Sequence, residues 1–145
     1  AADTALKLYK KNNHQAGIFE TLYLKAEIFY ITEEYQESRR ILTALIKEKT
    51  PPSAIYYPAN AYTLLGAIEL KANNPNIART LFKQAADLEH ALNRLKGAAI
   101  DYNNLAELER LNGNQQTART YLMQALSYAE EIGDNELKSY LSAKL

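Results

Sequence analysis

Along the chain, apolar residues recur at the alternating three-and-four spacing of a helix buried on one face, in stretches separated by short clusters of Asn, Gly and Pro. Residues 1–12 place Ala2, Ala5, Leu6 and Tyr9 on one side and stop at Asn12-Asn13. A second helix is predicted over 15–31, with Leu22, Ala26, Phe29 and Tyr30 inward, and a third over 34–49 through Ser38, Ile41, Leu42, Leu45 and Ile46. Thr50-Pro51-Pro52-Ser53 then breaks the pattern, because proline removes a donor and pushes its predecessor out of α geometry. The next helix starts between Ser53 and Pro58 and ends near Asn73. Asn74-Pro75 reads as a helix start, the Asn side chain capping and the Pro in the first turn. That helix is expected to run to about Leu95 with Gly97 as the break, followed by 97–111, an interruption at Asn112-Gly113-Asn114, and 115–132. Gly133 suits a left-handed helix end, and Asp134 or Asn135 caps a last helix with Leu137, Tyr140, Leu141 and Leu145 as its apolar stripe. No stretch alternates as a strand does, and valine is absent, so the chain is read as all-α.

The pattern repeats. Ala59, Tyr62, Leu65, Glu69, Asn74, Ala78, Arg79, Thr80, Gln84 and Ala85 recur forty residues later as Ala99, Tyr102, Leu105, Glu109, Asn114, Ala118, Arg119, Thr120, Gln124 and Ala125, 10 of 27 positions. A period of this size means stacked supersecondary units. Small residues share it: Ala26, Gly66 and Ala106, then Ser38, Ala78 and Ala118 twelve residues on, where two helices cross too closely for bulk. Leu42, Phe82 and Leu122 follow, then Leu45, Ala85 and Ala125.

This spacing resembles the tetratricopeptide repeat (TPR), in a long-helix variant with a period of 40 rather than 34. Glu69 and Glu109 stand where that repeat usually has Tyr. The resemblance implies an all-α, right-handed superhelix forming one domain: units at about 15–50, 55–95 and 97–133, with half-units at 1–12 and 134–145. It further implies that the first helix of each pair lines a concave groove holding a peptide or helix of a partner protein. The positions so assigned are Tyr23, Glu27 and Tyr30, then Asn60, Thr63, Ala67 and Lys71, then Asn103, Glu107 and Arg110. A subclass of the family grips a partner's C-terminal carboxylate; Glu27 and Glu107 would repel one, which favours a partner with Lys or Arg, or with backbone groups and an apolar side chain for the tyrosines. The alternative is a ligand- or peptide-sensing segment of a larger bacterial-type regulator. Leu137, Tyr140, Leu141 and Leu145 would expose an apolar end face through which copies associate.

Composition narrows the chemistry. The charges balance at 17 basic and 17 acidic residues, with no long basic run to attract nucleic acid. Cysteine is absent, removing disulfides and thiolate sites while leaving the compartment open between cytoplasm and, were a leader removed, periplasm. The longest uncharged run, 50–68, carries Pro51, Pro52 and Pro58 and is not read as a membrane span. The chain does not start with Met and shows no leader, which suggests a processed form or an excised piece. His14 and His90, the only histidines, show no second His or carboxylate at a metal-ligand spacing in the sequence and read as surface residues; Glu33-Glu34 and Glu130-Glu131 read as solvated helix ends. Nucleophile, phosphate-loop and zinc-protease motifs are missing, so the expectation is a protein with no catalytic residues, metal or cofactor.

Overall fold

A computed structural model describes residues 2–11 and 14–145, without the side chains of Tyr9 and Lys11. Within them lie eight α-helices and no strand: α1 (Ala2–Lys11), α2 (Gln15–Ile31), α3 (Tyr35–Lys47), α4 (Tyr57–Lys71), α5 (Pro75–Ala91), α6 (Leu95–Leu111), α7 (Gln115–Glu131) and α8 (Asn135–Ser142), with a 3-10 turn at Pro52–Ala54. The expected stop at Asn12-Asn13 and the inward side chain of Tyr9 lie outside the described residues. No described helix is long and apolar enough to cross a membrane. Packing runs in chain order, α2 on α3, α4 on α5 and α6 on α7, each pair then resting on the next, as in a TPR-like solenoid.

The small residues do what their spacing implied. Ala26 is fully buried, and Ser38 Oγ donates to its carbonyl at 2.7 Å, so α2 and α3 meet almost backbone to backbone. At the equivalent crossing the Phe82 ring lies flat on Gly66; a Cβ there would sit 2.6 Å from its Cε1. Core layers then fill between pairs, with Phe19, Leu42, Leu45 and Ile68 at one end and Ala99, Leu122, Ala125 and Leu141 at the other.

Five of the links are one motif. Glu33, Asn73, Asn93, Gly113 and Gly133 all have left-handed φ, between 54° and 81°. In each, the following N–H reaches back to the carbonyl five residues earlier, as Asn74 does to Glu69 and Asn114 to Glu109 at 2.8 Å, closing the preceding helix. This corrects the expected break at Gly97: α5 ends at Ala91, the turn is Leu92-Asn93-Arg94, and Gly97 lies inside α6. Asparagine tolerates the left-handed region, so the turn needed no glycine there. Gly97 is glycine for another reason, since a Cβ on it would lie 2.5 Å from the Glu89 carboxyl carbon.

Asn74 starts α5 but does not cap it through its side chain. Its Nδ2 instead donates to Glu69 Oε2 at 2.8 Å, while Arg39 Nε of the preceding pair donates to Glu69 Oε1 at 2.8 Å. Forty residues on, Asn114 and Arg79 hold Glu109 in the same way. The glutamates that replace the usual Tyr are therefore rungs tying one helical pair to the next. Asp134 does cap α8, accepting from the Leu137 N–H at 2.9 Å.

Candidate functional site

The first helices of three successive pairs, α2, α4 and α6, converge on a cleft of about 620 Å³. Tyr23 enters it from α2; Asn60, Thr63 and Ala67 enter from α4, spaced to share one face; Ile100 and Asp101 close it from α6. The turn between α5 and α6 supplies Asn93 and Arg94, and Ile132 reaches in from beyond α7. Most of the surface is apolar; of the polar lining residues Asn93 and Lys96 are exposed, while Asp101 and Glu89 are buried.

These buried acids are unusual for a repeat core. Asp101 is 1% exposed and accepts from Thr63 Oγ1 at 2.7 Å. Burial pushes its carboxyl up to about 7, against the Thr63 hydrogen bond and with the Glu89 charge adding to it. Glu89 is 2% exposed and its carboxyl is likewise raised by burial, Arg94 pulling the other way. The two form an ion pair with Arg94 Nε 3.3 Å from Glu89 Oε2, too poorly aligned to hydrogen-bond, and Glu89 Oε2 and Arg94 Nη1 are buried without a hydrogen-bond partner. Tyr56 stacks on the guanidinium, 4.6 Å from ring centroid to Cζ. Tyr23, packed on Tyr57, has its hydroxyl pKa raised by burial and by Glu27.

The ten positions assigned from the sequence are thus divided. Tyr23, Asn60, Thr63 and Ala67 meet in this cleft, and Ala67 continues into a smaller hollow of about 240 Å³ with Tyr30, Lys71 and Glu107. Glu27 opens instead toward α1, beside Ala2, Ala5 and Leu24. Asn103 and Glu107 both accept from Lys144 Nζ at 2.9 Å, and Arg110 Nε and Nη2 donate to Glu107. Lys144 and then Arg110 hold the Glu107 carboxyl below its ordinary value. Glu107 is therefore a paired charge, and the expectation that it repels an anionic chain end loses its third-unit support.

The end stripe is divided too. Leu141 is fully buried and Leu137 packs against the same cluster, leaving Tyr140 and Leu145 about half exposed. Lys144 Nζ lies over the Tyr140 ring. Among the described residues, no group of three His, Asp or Glu is placed to hold a metal ion. His90 is exposed and packs on Tyr128, and Glu130 pairs with Lys138 at 3.5 Å.

Sequence reasoning missed Glu89, Arg94 and Asp101. For Asp101 the signal was available in the register, since it stands forty residues from Ala61 and from Leu141, both fully buried; Glu89 stands forty from buried Ala129 but also from the exposed Lys49, so the register did not single it out. A carboxylate where the repeat elsewhere keeps an apolar core residue marks a site outside the packing pattern.

Fold and cleft together define an all-α helical-repeat protein of TPR-like architecture. Among solved structures it is similar to the Yersinia enterocolitica type III secretion translocator chaperone SycD, with a TM-score of 0.75 and 18% identity over 94% of each chain. It is also similar to BtubC (BKLC) from P. vanneervenii, with a TM-score of 0.74 and 14% identity over 97% of this chain and 58% of that one. At these identities the likeness is one of fold. No family model matches the sequence, and neither does any curated protein.

Proposed function

We propose that this chain is a non-catalytic interaction module of the TPR type, which holds a segment of a partner protein across the first helices of its repeats. The observation that carries this reading is the convergence of α2, α4 and α6 on one cleft, with Tyr23, Asn60, Thr63 and Ala67 inside it. The half-buried Tyr23 and short polar side chains offer area and hydrogen bonds at small entropic cost, as interfaces do. A neighbour of the same fold described as a translocator chaperone is consistent with a protein partner.

Peptides selected from a random library against the whole chain test the reading. Ala67→Arg places a long cation in the cleft and should weaken them by more than about tenfold. Met123→Arg, on exposed α7 surface, should leave binding unchanged. The opposite pattern would remove the groove from the account.

One observation favours a second reading, the ligand-sensing segment. The cleft volume, about 620 Å³, falls within the range of small-molecule sites. A small ligand would raise the melting temperature by mass action, with no peptide needed. A flat thermal response across a metabolite panel would leave the protein-binding reading alone.

A further inference from the structure

Arg119 is the last of a series, with Arg79 and Arg39 before it at forty-residue spacing. Arg39 Nη1 donates to Gln36 at 3.0 Å and Arg79 Nη1 to Asn76 at 2.7 Å, acceptors three residues earlier, while Nε of each donates to the glutamate on the next first helix, Glu69 or Glu109. Gln116 stands in the same relation to Arg119, but the glutamate has no counterpart. In register, α8 with its 8 residues matches only the first turns of α6, which has 17. Arg119 is exposed and, among the described residues, in no ion pair. It lines a hollow of about 420 Å³ that shares no residue with the cleft. Ala118 and Leu122 also line it, Leu122 being 7% exposed where its counterparts Leu42 and Phe82 are 0% and 2%. Of the cations in the hollow, Arg110 and Lys144 already bond Glu107, its one carboxylate, and Arg119 is left over.

We propose that this hollow docks a helical segment of a partner protein, and that Arg119 receives a glutamate side chain from it. Continuity with the rungs gives the chemistry. Glu69 and Glu109 directly follow Ile68 and Leu108, and stand four residues after Leu65 and Leu105, all four of these apolar side chains being buried. Leu108 clusters with Ala78 and Phe82, whose counterparts Ala118 and Leu122 line the hollow. Leu145, also in the lining, stands at the register position of Leu65 and Leu105, so the hollow calls for the apolar residue and the glutamate that come next in the pattern. Charge agrees, since an acidic segment meets more cations than carboxylates there and a basic one would face the arginines. A second copy is not the occupant. Leu65–Glu69 and Leu105–Glu109 are this chain's own segments of the pattern, and both glutamates are already buried in rungs. A lone anion gains little from an exposed arginine, and the apolar neighbour supplies the rest of the binding.

The test titrates the isotope-labelled chain with an acetylated, amidated peptide of the sequence Ala106–Asn114, which follows Leu105 as the docked segment follows Leu145 in register. The Arg119 Nε–H and the amides of Ala118 and Leu122 should move and saturate at roughly millimolar peptide, while Tyr23, Thr63 and Ala67 stay still. Glu109→Gln in the peptide should weaken binding by about fivefold, the size of a partly exposed charge-assisted pair. Arg119→Gln in the chain, with folding checked by circular dichroism, should do the same, whereas Arg40→Gln, another exposed arginine, should not. Binding that ignores both glutamine substitutions overturns the inference, as does silence of the three signals at tens of millimolar peptide. Sodium acetate moving the Arg119 Nε–H as far as the peptide does would reduce the site to attraction of any anion. Dependence of that signal on chain concentration without peptide would make a second copy the occupant. Shifts in the cleft alone would assign the peptide there, and each of these three results also overturns the inference.

Discussion

Asp101 shows at the scale of one residue how function and stability pull apart. Its folded carboxyl titrates near 7, well above the ordinary value of about 4. The folded chain therefore binds this proton more tightly than the unfolded one, and stability falls as pH rises between those two values. Above about pH 7 the charge is present in both states and the penalty is complete. Asp101→Asn keeps an oxygen for the Thr63 hydroxyl and removes the charge. It should raise the melting temperature clearly at about pH 8 and hardly at about pH 5, read by thermal denaturation across that range. An equal gain at both would mean that the carboxyl is not buried as a neutral acid. The repeat register made Asp101 detectable but not interpretable: Ala26, Gly66 and Ala78 follow from periodicity, whereas Asp101 interrupts it. A departure from a pattern says where to look. Only the folded chain shows that α5, the turn after it and α6 bring Glu89, Arg94 and Asp101 together.

Helix order, type and most boundaries were legible because each stretch carries its apolar face at helical spacing, and α2 runs over the predicted 15–31. The turns were less so. Left-handed geometry is obvious in sequence only when glycine supplies it, as at Gly113 and Gly133, and hidden when Asn73, Asn93 or Glu33 does. Glu33 is the least suited of the five, since a side chain in this region costs roughly 1 kcal/mol that glycine avoids. Thr32 Oγ1 bonds Glu34 rather than Glu33, and Glu33 itself is exposed. Glu33→Gly should therefore stabilise the chain by about 0.5–1 kcal/mol in urea unfolding. A loss of stability would show that Glu33 contributes something beyond its backbone.

Across the whole molecule, the rungs between pairs decide how the solenoid holds together. Arg39–Glu69–Asn74 and Arg79–Glu109–Asn114 link three units through two nearly buried glutamates. Arg79→Met leaves the Glu109 carboxylate with Asn114 alone. Because the arginine is a quarter exposed, the cost should be somewhat under that of breaking a fully buried pair, about 2–3 kcal/mol. Arg40→Met, which removes a solvent-facing pair with Glu37, should cost less than about 1 kcal/mol. Arg79 first, and then Asn114, hold the Glu109 carboxyl below its ordinary value. The rung thus contributes above the unfolded value, and its contribution is lost as pH falls through the lowered folded one. In the Arg79→Met chain that acid sensitivity should shrink, and equal costs for the two arginine variants would deny the rung its role.

These rungs tie α3 to α4 and α5 to α6, and so hold together the helical pairs whose first helices line the cleft that the proposed function depends on. The most direct measurement is an amide chemical-shift map of the isotope-labelled chain with a library-selected peptide. The account predicts shifts concentrated at Tyr23, Asn60, Thr63, Ala67 and Asp101, with α3 and the outer face of α7 unmoved. Shifts confined to α3, α5 and α7, with those five residues silent, would contradict it.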